Sequence, residues 1–254
     1  MSSRISFLLS LLSFSLLLYA TVASDPPLAI RCSSSNTLRP GDAFTRNLHQ
    51  LMYLLSAKAP AVGFEIGSVG SGPSHAFGLA LCRGDVTRAL CRACIRTANA
   101  HTLRRCPRRK RATVWLDRCM VRYSDSDFFG EVDRAHSVLL SDRSNASADP
   151  SRFESKVVRL MKGLTKRAYL TPLLYAAGEL VINNHKVNNN NINTNKGELY
   201  GLVQCSKDLS GGDCKACLEK AISQLSSCCK GKRGGRVLGS SCNLRYEVYP
   251  FFDA

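Results

Sequence analysis

The sequence predicts an α+β protein built from two tandem copies of one small disulfide-stapled domain. In each copy two helices pack on an antiparallel sheet. Three observations carry this. Cys82, Cys91, Cys94, Cys106 and Cys119 recur 123 residues later as Cys205, Cys214, Cys217, Cys229 and Cys242, so C-x8-C-x2-C-x11-C-x12-C occurs twice without a slip. Stripes of apolar residues at helical spacing recur with the cysteines. The last segment of each copy alternates apolar and polar residues, as a strand does.

Residues 1–24 read as a secretory signal peptide. Arg4 is the positive start, Ile5 to Tyr19 is an apolar run short for a membrane span, and Ala20 to Ser24 are small enough for cleavage. No second run of spanning length follows, and the chain stops soon after its last cysteine module. No C-terminal membrane anchor and no kinase domain is therefore expected. The rest divides into a first domain at 25–135 and a second at 136–254.

Each copy opens with a helix. Phe44, Leu48, Leu51, Met52 and Leu55 form one stripe, and Phe153, Val157, Leu160, Met161 and Leu164 repeat it 109 residues on. The offset then grows to 123, and the Asn-rich run Asn183 to Asn193 is the host of the extra residues, read as an exposed polar loop. A strand follows at His75 to Cys82 and again at Glu198 to Cys205. Thr87 and Ser210 are N-caps of a second helix. That helix buries Leu90, Cys94, Ile95 and Ala98 in copy one, and Cys217, Leu218, Ala221, Ile222 and Leu225 in copy two. Its CxxC puts both sulfurs near one face, one reaching back to the preceding strand and one forward to the last strands. Leu244, Tyr246 and Val248 then alternate with Asn243, Arg245 and Glu247, and Val121 and Tyr123 continue the same pattern in copy one.

A secreted route makes the 12 cysteines disulfides rather than metal ligands. No histidine completes a repeated metal site, so neither metal nor cofactor is expected. His49, His75, His101, His136 and His185 have no counterparts at matched repeat positions, which argues against an enzyme. The balance of 35 Lys and Arg against 19 Asp and Glu gives +16, a charge that favours acidic surfaces such as pectic cell wall. The cluster Arg104 to Arg111 conflicts with the leader as a nuclear signal and reads as a solvated basic loop. No specific nucleic-acid partner is expected.

The doubled C-x8-C-x2-C and the ending Gly234 to Phe251 resemble the plant cysteine-rich repeat secretory proteins. Their domain is shared with ginkbilobin, an antifungal seed protein, and with ectodomains of cysteine-rich receptor-like kinases and plasmodesmata-located proteins. The resemblance covers nearly all of the chain after residue 24. It implies two helices on a five-stranded antiparallel sheet in each copy, and a protein of the plant apoplast. It also implies the pairings Cys32–Cys106, Cys82–Cys91, Cys94–Cys119, Cys205–Cys214 and Cys217–Cys242. Copy two departs from the family, with Ser141 where Cys32 would recur and an extra Cys228 beside Cys229. A local link, two free thiols and a bridge to another chain are the options there, with no bond to copy one expected.

Ginkbilobin-type domains hold mannose through an Asn, an Arg and a Glu. Those positions are Ser33, Thr113 and Ser124 in copy one, where none matches. In copy two they are Asp142, Arg236 and Glu247, and two match. The trio is either a carbohydrate site or, for Arg236 and Glu247, an ion pair across neighbouring strands. Asn145 begins the one N-x-S/T sequon and is the expected glycosylation site. The functional expectation is a secreted, non-enzymatic recognition protein in stress, defence or developmental signalling, with membrane-anchored receptor-like relatives among its partners. The first alternative is an antifungal protein that binds mannan or another cell-wall polysaccharide, and the second a secreted enzyme or redox protein.

Overall fold

The computed structural model describes residues 26–34, 38–39, 41–135, 137–146, 149–188 and 191–252, with backbone alone for 183–188 and 191–196. The expected signal peptide lies outside the described residues. Both halves run strand, helix, hairpin, helix, hairpin. The first has β1 (Ala29–Cys32), α1 (Ala43–Lys58), β2 (Phe64–Val69), β3 (Ala76–Cys82), α2 (Arg88–Arg105), β4 (Ala112–Trp115) and β5 (Cys119–Ser124). The second has β6 (Ser137–Ser141), α3 (Pro150–Tyr169), β7 (Tyr175–Asn188), β8 (Asn191–Cys205), α4 (Gly211–Cys229), β9 (Gly234–Gly239) and β10 (Cys242–Glu247). The sheets are antiparallel and five-stranded, ordered β1-β4-β5-β3-β2 and β6-β9-β10-β8-β7.

Side-chain caps start all four helices. Asp42 accepts from the Phe44 amide, Thr87 from Leu90, Asp149 from Arg152 and Ser210 from Asp213. Pro150 fits the first turn of α3, where its missing N–H is no loss. The stripes predicted on α1 and α3 face their own sheets and are buried. On α2 the buried line is Cys91, Ile95, Ala98, Asn99 and Thr102. Leu90, expected inside, is 43% exposed, because it sits in the first turn about 100° round the helix from Cys91.

The Asn-rich run is not an irregular loop. The β7–β8 ladder continues to the pair Asn188↔Asn191, while β10 pairs with β8 only from Tyr200 to Cys205. The outer part of the hairpin is therefore a two-stranded arm that leaves the sheet. Residues 189–190 lie outside the described residues.

Six disulfides join Cys32 to Cys106, Cys82 to Cys91, Cys94 to Cys119, Cys205 to Cys214, Cys217 to Cys242, and Cys228 to Cys229. In each half the CxxC ties the second helix both to the strand before it and to the last strand. Cys32–Cys106 spans 74 residues and, on the chain-entropy view, contributes about 4 kcal/mol. Copy two has no such tie. There β6 is held to β9 by its ladder, and Cys229 Sγ lies 3.5 Å from the Leu140 carbonyl oxygen.

Glycines set how closely the first helix of each half approaches. Gly78 and Gly201 occupy matched places, beside Tyr123 and Tyr246 on the neighbouring strands. A Cβ on Gly201 would lie 2.3 Å from Met161 Cε and 2.9 Å from both Leu160 and Leu164. We expect Gly201→Ala to destabilise the protein by about 1–3 kcal/mol, the usual range for overpacking a filled core. Thermal unfolding measures it, and an unchanged midpoint would refute the close-approach account.

Candidate functional site

Each sheet has one face on its helices, and in an isolated domain the other face would meet water. Here the open faces meet each other. Leu79, Leu81, Trp115, Met120 and Phe128 of the first half form one buried cluster with Leu238 of the second, and Val138 and Leu140 pack on it. The Trp115 indole N–H donates to the Gly239 carbonyl at 3.0 Å, and the buried Gln204 amide donates to the Cys82 carbonyl at 2.9 Å. The connecting segment closes one side. Gly130 N–H donates to Asp208, and Asp133 N–H donates to the Ser241 hydroxyl.

At one corner of this junction Asp117, in the turn between β4 and β5, reaches the second half. Its carboxylate accepts from Arg236 at 2.7 Å, from Arg245 at 3.3 Å and from Arg83 of its own half at 3.0 Å. Arg83 is also held by both oxygens of Asp85, at 2.7 and 2.8 Å. Arg245 donates to Glu247 at 2.9 Å and lies over the Phe251 ring at 3.8 Å. Three arginines thus meet three carboxylates. Arg245 (8% exposed) and Glu247 (5%) lie buried at this corner, while the Asp117 side chain keeps 33% of its surface in water. Paired charges of this kind tolerate burial where single ones do not.

The electrostatics follow. Burial pushes the Asp117 carboxyl up, but the hydrogen bond from Arg236 and the charges of Arg236, Arg245 and Arg83 outweigh it and hold it below the ordinary carboxylate range. At Glu247 burial wins and the pKa is raised, despite the opposing pull of Arg245 and Arg236.

The positions singled out from the sequence separate here. Arg236 and Glu247 share a sheet face 3.8 Å apart, but their closer partners are Asp117 and Arg245. Asp142 lies beyond β6, where its side chain accepts from the Ser144 amide and its own N–H donates to Gly234. Asn145 is exposed, and its side chain accepts from Lys232 at 3.0 Å; Ser147 of its sequon is outside the described residues. Asp117, Arg83 and Arg245 were not picked out by sequence reasoning. The available signal was a departure from the repeat, since Asp117 stands where copy two has Ser240.

At another corner the junction is open. A cleft of ≈ 1040 Å³ is lined by Arg31, Thr113, Arg122, Ser124 and Ser126, with Phe128, residues 131–135 and Ser240 also on its wall. Thr113 and Ser124 are the copy-one counterparts of Arg236 and Glu247.

Comparison with known proteins places these features. A family model described as salt stress response/antifungal matches residues 31–126 and 141–249. An antimicrobial ginkbilobin-2-like protein of Castanea crenata is 43% identical over 245 residues, 96% of this chain and 96% of its own. Cysteine-rich repeat secretory protein 38 of Arabidopsis thaliana is 45% identical over 210 residues, 82% of this chain and 78% of its own. The crystal structure of the tandem DUF26 ectodomain from the Arabidopsis thaliana cysteine-rich receptor-like protein PDLP8 superposes with a TM-score of 0.70 at 24% identity. That match covers 88% of this chain and 98% of the other. Among the described residues no helix is long and apolar enough to cross a membrane.

Asp117→Asn keeps the side-chain shape and removes the charge that three arginines share. We expect it to lower stability by about 1–3 kcal/mol at neutral pH, discounted because this carboxylate keeps partial contact with water. A carboxylate with a depressed folded pKa stabilises above its ordinary value, near 4, and loses that contribution as the pH falls through the folded one. Glu247, with its raised pKa, has the opposite slope. Unfolding midpoints between about pH 2 and pH 7 should fall on the acid side for the wild type and fall less for Asp117→Asn. Parallel curves would sink this account.

Proposed function

We propose, on the premise that this chain belongs to the salt stress response/antifungal family, that it is a secreted, non-enzymatic recognition protein of the plant apoplast. It acts in stress or defence, through its outer surface and the open side of its domain junction. The carrying observation is that Arg236 and Glu247 are engaged by Asp117 and Arg245 between the two sheets. A sugar at that place would have to displace Asp117 and open the junction, so mannose binding by copy two is not the reading we favour.

A net charge of +16 suits adhesion to the acidic wall. The disulfides suit an oxidising compartment outside the cell. Membrane-anchored receptor-like relatives are the partners this reading implies, because this chain has the same tandem fold as such an ectodomain. The proposal also takes the residues before 25 as a removed leader, the domain boundary as 135/136 and Asn145 as glycosylated.

The glycosylated protein should pass through a mannan column without retention. It should bind pectate beads at low salt and be released near ~1 M salt, where the screening length drops to about 3 Å. Mannan retention abolished by free mannose would overturn the reading in favour of a lectin, and pectate retention indifferent to salt would overturn the charge-based one.

A further inference from the structure

The two corners of the junction are built from matched positions. Asp117 and Ser240 occupy equivalent turns, one between β4 and β5, the other between β9 and β10. Asp117 meets Arg236 and Arg245. Ser240 shares a cleft with Thr113 and Arg122, which match Arg236 and Arg245 123 residues earlier. The first corner is filled by an in-chain carboxylate. At the second, serine stands in its place and the space stays open.

The floor of the open corner is also a two-arginine row. Arg31, Thr113 and Arg122 stand side by side across β1, β4 and β5 on one face. The matching row is Leu140, Arg236 and Arg245 across β6, β9 and β10. Both rows carry two cations, but in the open one they flank Thr113 at two strand spacings, about 9–10 Å apart at the backbone. Arg31 pairs with Thr113 through its backbone, and its exposed side chain has no hydrogen bond or ion pair among the described residues. Arg122 lies over the Phe128 ring at 4.0 Å, and its nearest carboxylate oxygen, on Asp133, is 3.6 Å away.

The remaining walls restrict the ligand. Ser124, Ser126 and Ser240 present hydroxyls, Asp127, Glu131 and Asp133 present carboxylates, and Arg134 and Arg111 complete the wall, the latter held by Asp125 at 2.7 Å. A phosphate or a dense polyanion would meet those acids at close range. A ligand with one carboxylate and several hydroxyls gives the arginines their anion and the acids their donors.

We propose that this cleft binds a hexuronate sugar, its carboxylate lying between Arg31 and Arg122 as Asp117 lies between Arg236 and Arg245. The proposal rests on the reading of the protein as an apoplastic recognition module, and it names the ligand class and the residues.

Titration calorimetry with sodium digalacturonate tests it, with the methyl ester of the same disaccharide as the neutral control. The wild type should bind the acid, and the ester at least about tenfold more weakly. Arg31→Ala should weaken acid binding by a similar factor. Ser240→Asp, which supplies an in-chain carboxylate, should weaken it as well. Arg31 is exposed, so that variant should melt like the wild type. If Ser240→Asp fails to fold, Arg31→Ala and the ester decide. No binding by the wild type, equal affinity for acid and ester, or full affinity in Arg31→Ala would overturn the site. Adhesion to pectate beads is followed in parallel and draws on the whole excess of Lys and Arg, so it should survive Arg31→Ala. Digalacturonate binding without pectate adhesion would sink the wall reading and leave the cleft standing.

Discussion

A small domain with helices on only one side of its sheet leaves the other side without cover, and this chain answers the shortage by laying one sheet on the other. Trp115, Met120, Leu81 and Leu238 supply the apolar part of that contact. The chemically demanding part is Asp117, which carries a charge across the boundary and must find partners there. It finds three, and two of them are themselves held by Asp85 and Glu247. Removing any member would leave a counter-charge short of a partner between two sheets, a costlier situation than never having had the pair. The relative placement of the halves, the engagement of Arg236 and the shape of the open corner all follow from it.

Much of the fold was legible because it rests on periodicity and covalent spacing. The five matched cysteines, the two helical stripes and the Thr87 and Ser210 caps are local signals, and local geometry decides them. The junction was harder to see. Alternation in β10 marked Arg245 and Glu247 as outward, and they do point away from the helices, yet the outside of one half is the inside of the pair. A hint existed in β3, where Ala76–Cys82 is apolar nearly throughout instead of alternating, the mark of a strand covered on both faces. Leu90 was misplaced because helical phase turns it about 100° away from Cys91, off the buried line. The Asn-rich run was legible as an excursion from the sheet, but not its ladder, because composition reports polarity, whereas a hairpin satisfies its backbone whatever the side chains are.

The two halves also differ in how they secure their first strand. In the first, Cys32–Cys106 ties the end of β1 to the end of α2. In the second, the position matched to Cys32 is Ser141, and Cys229 pairs with its own neighbour at the end of α4. The strand keeps its place without the bridge because β6 pairs along its whole length with β9, and Cys229 Sγ lies 3.5 Å from the Leu140 carbonyl oxygen.

The exchange of Asp117 for Ser240 has a meaning for the history of such a molecule. A duplicated domain that packs on its own copy begins with two equal corners, and nothing about equality favours function. One acidic residue in one turn is enough to make the corners unequal, so that one fastens the pair and the other is released from that duty. The halves are then free to differ. Arg236 and Glu247 stand where they help hold the protein together, and their counterparts Thr113 and Ser124 line the open cleft.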